Sequence, residues 1–104
     1  MTNEILTASG VPYRETQFLH DPPKKTYAVY MDDVEVGGSD YENLVQTHNI
    51  TVELYEPKAD PNAEAAIEAQ LNANGLHYSK QARYWIPEAQ RFQVIYEFTY
   101  ITKT

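Results

Sequence analysis

The sequence predicts an α+β fold: an antiparallel (or mixed) sheet of four to five strands, packed by a helix at about 61–74, with a short helix at the N-terminus. Four observations predict it. His48 to Tyr55 alternates, Ile50, Val52 and Leu54 against Asn49, Thr51, Glu53 and Tyr55, which is the period of a strand with one buried face. Asp60-Pro61 then supplies an N-cap acceptor and a proline at the first helical position, where the missing N–H costs nothing. Ala63, Ala66, Ile67, Gln70 and Leu71 recur at threes and fours, and Gly75-Leu76 has the form of a Schellman stop. Finally, Phe92 to Ile101 sets Phe92, Val94, Tyr96, Phe98 and Tyr100 against Gln93, Glu97 and Thr99.

Taken in order, Glu4 to Ser9 reads as a short helix capped by Thr2 or Asn3 and closed by Gly10. Val11 to Thr16 is extended, an edge because Pro12 lacks a donor. Asp21-Pro22-Pro23-Lys24-Lys25 is a loop. Thr26 to Met31 is a strand, with Tyr27, Val29 and Met31 on one side and Ala28 and Tyr30 on the other. Asp32-Asp33 interrupts it; Val34 and Val36 continue it or begin a hairpin arm, and Gly37-Gly38-Ser39-Asp40 is a turn. Tyr41 to Thr47 returns as a strand, divided from the next by a bend or bulge near Thr47. After the helix, His77 to Ile86 is one strand with Tyr78, Ala82, Tyr84 and Ile86 on one face. Pro87 to Gln90 turns it into a hairpin with the last strand.

A chain of 104 residues forms one domain and buries roughly 60–70% of its unfolded surface. There is no cysteine, which removes disulfides, thiolate metal sites and thiol nucleophiles. No apolar run approaches ~20 residues and Met1-Thr2-Asn3-Glu4 lacks a basic leader, so neither a membrane span nor a signal peptide is expected, and the cytoplasm is the expected compartment. The net charge of -7 provides no basic stripe for a phosphate backbone. It serves solubility, or a surface that sits near nucleic acid without adhering to it. Nine Tyr against three Phe and one Trp suggest protein–protein surfaces, because Tyr offers contact area with one wet edge.

No constellation carries catalytic or metal chemistry. Tyr30-Met31-Asp32-Asp33 copies the metal-binding tetrad of reverse transcriptases, but that chemistry needs a third carboxylate and a basic template channel in a longer chain. His20, His48 and His77 stand singly, without a ligand spacing. Ser9, Ser39 and Ser79 lack a nucleophile elbow, and Gly37-Gly38 is not a phosphate loop. Asn49-Ile50-Thr51 matches a glycosylation sequon by chance. Glu64 and Glu68 are expected on an exposed helix face near the positive end of the helix dipole. Trp85 is either half-buried under the N-terminal segment, the preferred reading, or an exposed anchor for a partner.

From Tyr27 to Tyr100 the order of features has a counterpart. A strand after Pro22-Pro23, an acidic turn, Gly38-Ser39-Asp40-Tyr41, the strand Ile50 to Tyr55, Asp60-Pro61 opening a helix, Gly75-Leu76-His77-Tyr78 and a last strand through Tyr96-Glu97-Phe98 together resemble the tail terminator or tail-to-head joining proteins of long-tailed bacteriophages and prophages. The resemblance rests on patterned positions without a catalytic signature. It implies a structural, non-enzymatic component with no cofactor, assembled in the host cytoplasm and located at the virion neck. It also implies self-association into a ring, typically a hexamer, that meets tail-tube and head-connector proteins and passes DNA without binding it specifically. The contact expected with a neighbouring ring is the long turn Asp32, Asp33, Val34, Glu35, Gly37, Gly38, Ser39, Asp40 and Tyr41, with Trp85 as a further interface residue. The alternative is a small bacterial adaptor that binds a protein partner through an exposed sheet edge.

Overall fold

The computed structural model describes residues 1–15, 24–37 and 45–103. Three long strands carry the architecture: β2 (Tyr27–Gly37), β3 (Val45–Glu56) and β6 (Arg91–Lys103). They pair antiparallel in the order β2-β3-β6. The short β1 (Tyr13–Glu15) adds parallel to β2 over Ala28–Tyr30, which makes the sheet mixed. On the other side, β4 (Tyr78–Lys80) and β5 (Tyr84–Ile86) both pair with β6. Helices α1 (Thr2–Ser9) and α2 (Pro61–Ala73) contribute Ile5, Leu6, Ile67 and Leu71 to a core with Ala28, Leu54, Val52, Ile50, Val94, Tyr96 and Phe98.

The helix signals act as their chemistry requires. The Asp60 carboxylate accepts from the Ala63 N–H at 3.1 Å, and its second oxygen accepts from the Thr26 hydroxyl at 2.5 Å, so the cap also ties α2 to the start of β2. Asp60→Ala is expected to cost about 1–2 kcal/mol in urea unfolding. A loss no greater than that of an exposed surface change would show that the cap adds nothing. At the other end Gly75 adopts φ +68°, with Leu76 N–H donating to Leu71 O and Gly75 N–H to Asn72 O, the two bonds of a Schellman stop. Gly10 closes α1 at φ +79°. No side chain caps α1, however: Met1 holds the cap position and Thr2 is buried.

Three expectations about the strands fail, and each failure traces to strand pairing overriding local signals. Asp32-Asp33 does not interrupt β2, which pairs with β3 from Tyr27↔Tyr55 to Gly37↔Val45 without a slip. Thr47 carries no bend, since β3 pairs with β6 at constant register from Val45↔Lys103 to Glu56↔Phe92. The reverse holds for His77 to Ile86. It divides into β4 and β5, giving six strands, because three steps from Gln81 to Tyr84 oppose two steps from Ile95 to Gln93. That extra residue is a bulge, and it reverses the facing of the residues after it. Trp85 therefore stands opposite Phe92, on the helix side of the sheet. The expected segments at Thr16 to Pro23 and Gly38 to Leu44, with His20, lie outside the described residues.

Candidate assembly surface

Rows across β2, β3 and β6 change character along the strands. Ala28–Leu54–Val94 is wholly buried, Tyr30–Val52–Tyr96 and Asp32–Ile50–Phe98 come next, and Val34–His48–Tyr100 and Val36–Gln46–Thr102 lie toward the far end. There β2 from Asp33 onward is exposed, as are Thr99 and Ile101 to Lys103 of β6. The sheet thus ends in a three-stranded arm, part of a body 48 × 28 × 22 Å. Among the described residues no strand covers the outer side of β2 beyond Tyr30 or of β6 beyond Phe98.

The sequence-expected interface residues separate into two places. Asp32, Asp33, Val34, Glu35 and Gly37 are strand residues of the arm, not a turn, with Val34 41% and Val36 63% exposed. Gly38, Ser39, Asp40 and Tyr41 lie outside the described residues. Trp85 sits at the opposite end, edge-on to Phe92 at 4.9 Å and 42% exposed, so the preferred core reading fails. The bulge moves Trp85 to the helix side of the sheet, but at the end of the sheet.

The arm is laced by polar side chains. His48 Nδ1 lies 2.9 Å from Asp32 Oδ2, Nε2 lies 3.0 Å from the Thr102 hydroxyl, and the imidazole stacks on Tyr100 at 4.6 Å. His48 is therefore not solitary, as its sequence position suggested, because its carboxylate partner is 16 residues away on the neighbouring strand. The order hydroxyl, imidazole, carboxylate is that of an activated nucleophile. Such chemistry also needs a substrate cleft. An open cleft of about 590 Å³ exists beside Asn49, Thr51, His77, Ser79 and Glu97, and none of the three relay residues lines it. The three side chains join β2, β3 and β6. Among the described residues no group of three His, Asp or Glu is placed to hold a metal.

A second cluster sits under α2. Glu64, expected on the exposed face, is 5% exposed, because α2 turns the stripe Glu64, Ile67, Leu71 inward. Arg83, freed by the bulge, donates to Glu56 at 3.1 Å and to Glu64 at 2.6 Å. Lys80 pairs with Glu64 at 2.9 Å and with Glu68 at 2.8 Å, and the Tyr96 hydroxyl donates to Glu68 at 2.6 Å. Burial, then the hydrogen bond and charge of the neighbouring Glu64, push the Glu56 carboxyl up to about 7. Burial acts the same way on Glu64, but hydrogen bonds from Glu56, Lys80 and Arg83 outweigh it and hold that carboxyl well below its usual range. Burial, then the bond to Glu68, raises the Tyr96 phenol far above its ordinary value.

The sign of the Glu56 shift yields a prediction. A carboxyl raised on folding adds no cost below its unfolded value near 4.5, and its cost grows as pH rises through about 7. Glu56→Gln is therefore expected to exceed the wild type by about 2–3 kcal/mol at pH 8 and to match it at pH 4.5, in urea titrations at both pH values. An equal difference at both would refute the assignment.

Among the described residues these features define an α+β protein with two helices on one face of a mixed six-stranded sheet and a projecting polar arm. No family model matches the sequence, and no curated protein does. Among solved structures, a chain from the virion of a native gene transfer agent (GTA) particle superposes with a TM-score of 0.64 at 16% identity, covering 96% of this chain and 84% of that one. At this identity the likeness is one of fold.

Proposed function

We propose that the chain is a structural component of a phage-like particle, a tail terminator or head-tail joining protein that forms a ring at the tail-head interface. The observation that carries this reading is the likeness to a chain of a GTA virion over nearly the whole length of both. The order of features from Tyr27 to Tyr100 and the projecting arm support it. The partners on this reading are further copies of the chain, with six as the expected ring, and the tail-tube and head-connector proteins. DNA passes the ring without specific binding, as the net charge of -7 favours. The role is not enzymatic and takes no cofactor; the protein assembles in the host cytoplasm and ends in the virion neck.

The test is mass by light scattering over a concentration series, with and without tail-tube protein from the same genome. Rings in either condition support the proposal. A monomer that ignores the tube sinks it and favours the second reading, an adaptor that receives a partner's strand along the uncovered outer side of β2 or β6.

A further inference from the structure

The two groups of surface residues lie at opposite ends of the strands, roughly 30–40 Å apart at the rise of an extended chain, too far to form one site within a chain. Their chemistry is complementary. The arm exposes Val34 and Val36 on the face that continues the core rows and Asp33 and Glu35 on the opposite face, with Lys103 as its one Lys or Arg among the described residues. The other end, where β2 and β6 begin and β3 ends, gathers Lys24, Lys25, Lys58 and Arg91. Arg91 donates to Lys25 O at 3.2 Å, over the Tyr27 ring. Among the described residues the acidic groups toward this end are Glu88, in the β5–β6 turn, Asp60, already held by Thr26 and Ala63, Glu53, which accepts from Gln93, and buried Glu56. A recess of about 550 Å³ opens here between Lys25, Thr26, Pro57, Lys58, Asp60 and Asn62. Exposed Trp85 is two strands away through the row Trp85–Phe92–Glu56.

We infer that these ends are the two halves of one contact: the acidic arm of one copy docks on the basic, aromatic end of the next, head to tail. This deepens the ring reading and rests on it. Such a contact uses different surfaces on each copy, so it repeats from copy to copy, and on the ring reading the repeat closes. Trp85 and the recess supply the apolar seat for Val34 and Val36, and the lysines meet Asp33 and Glu35. In-plane joining of β2 to β6 of the next copy in parallel is disfavoured, because β1 and β4 would fall in the same space beside the paired edges.

Trp85 is the sole tryptophan, so its emission reports this contact directly. Wild-type protein is followed by light scattering and tryptophan emission over a concentration series, with and without the tube protein. The same is done for Asp33→Lys/Glu35→Lys and, separately, Lys25→Glu/Lys58→Glu. All four positions are exposed, and unchanged thermal midpoints verify folding. The expected result is a blue shift of Trp85 as wild-type copies associate, and at least about tenfold weaker association for each variant alone. Mixing the two variants, or combining all four changes in one chain, restores association, since each reversed charge again meets its opposite. Wild-type rings that persist in both variants, with Trp85 emission unchanged, overturn the inference and leave the ring reading standing. A wild type that stays monomeric with and without the tube overturns both.

Discussion

Replacing Arg83 by methionine is expected to destabilise the fold by about 3 kcal/mol at pH 8 and by clearly less at pH 5. Arg83 bridges two carboxylates, one from the end of β3 and one from α2, whose side chains are 0% and 6% exposed. Taking a guanidinium from such a pair leaves charge without water or a partner, which costs more than the pair itself contributes. Methionine keeps the aliphatic stem and isolates the electrostatic part of the loss. The pH dependence comes from Glu56, raised to about 7: at pH 5 it is already protonated in the folded state and needs no counter-charge, while at pH 8 it does. Glu64 keeps Lys80 at 2.9 Å in either case. The measurement is urea unfolding at both pH values. A loss independent of pH would show that Arg83 acts by packing alone.

Leu54→Ala is expected to cost about 3–4 kcal/mol, with no dependence on pH. Leu54 stands in the central strand between Ala28 and Val94, all three fully buried. The neighbouring Ala28 cannot expand into the space, and the central strand, bonded on both sides, cannot shift without moving two ladders. The cavity therefore stays largely open. Leu54→Met, which nearly conserves volume, is expected to lose less than about 1.5 kcal/mol. Equal losses for both substitutions would mean that shape, not filled volume, limits this part of the core.

The contrast between these two sites shows what was legible in the sequence. Leu54 was placed in the core by alternation alone, and the same period placed Ile50, Val52, Val94, Tyr96 and Phe98. The cap at Asp60-Pro61 and the stop at Gly75-Leu76 were equally readable, since each is complete within six residues of chain. Glu64 was misplaced, although its spacing of three and seven to Ile67 and Leu71 put it on the buried stripe. Its charge argued for solvent, and the partner that reverses the argument, Arg83, is 19 residues away in the bulged link between β4 and β5. Trp85 failed because it lies at the end of the sheet, beyond the cover of the helices, and His48 because Asp32 reaches it only across a strand pair.

Of the molecule as a whole, the sequence by itself determined the α+β class, the location of both helices, and the faces of the long strands. These arise from backbone periods and terminal hydrogen bonds that act within a few residues. Only the tertiary structure decided that β2 runs on through Asp32-Asp33 as half of a projecting arm, and that a cluster of three carboxylates and two cations lies against α2. The physical reason is common to both. The cost of extending or burying a charged residue is set by the partners that other strands bring to it, and those partners are chosen by register and not by neighbouring residues in the chain.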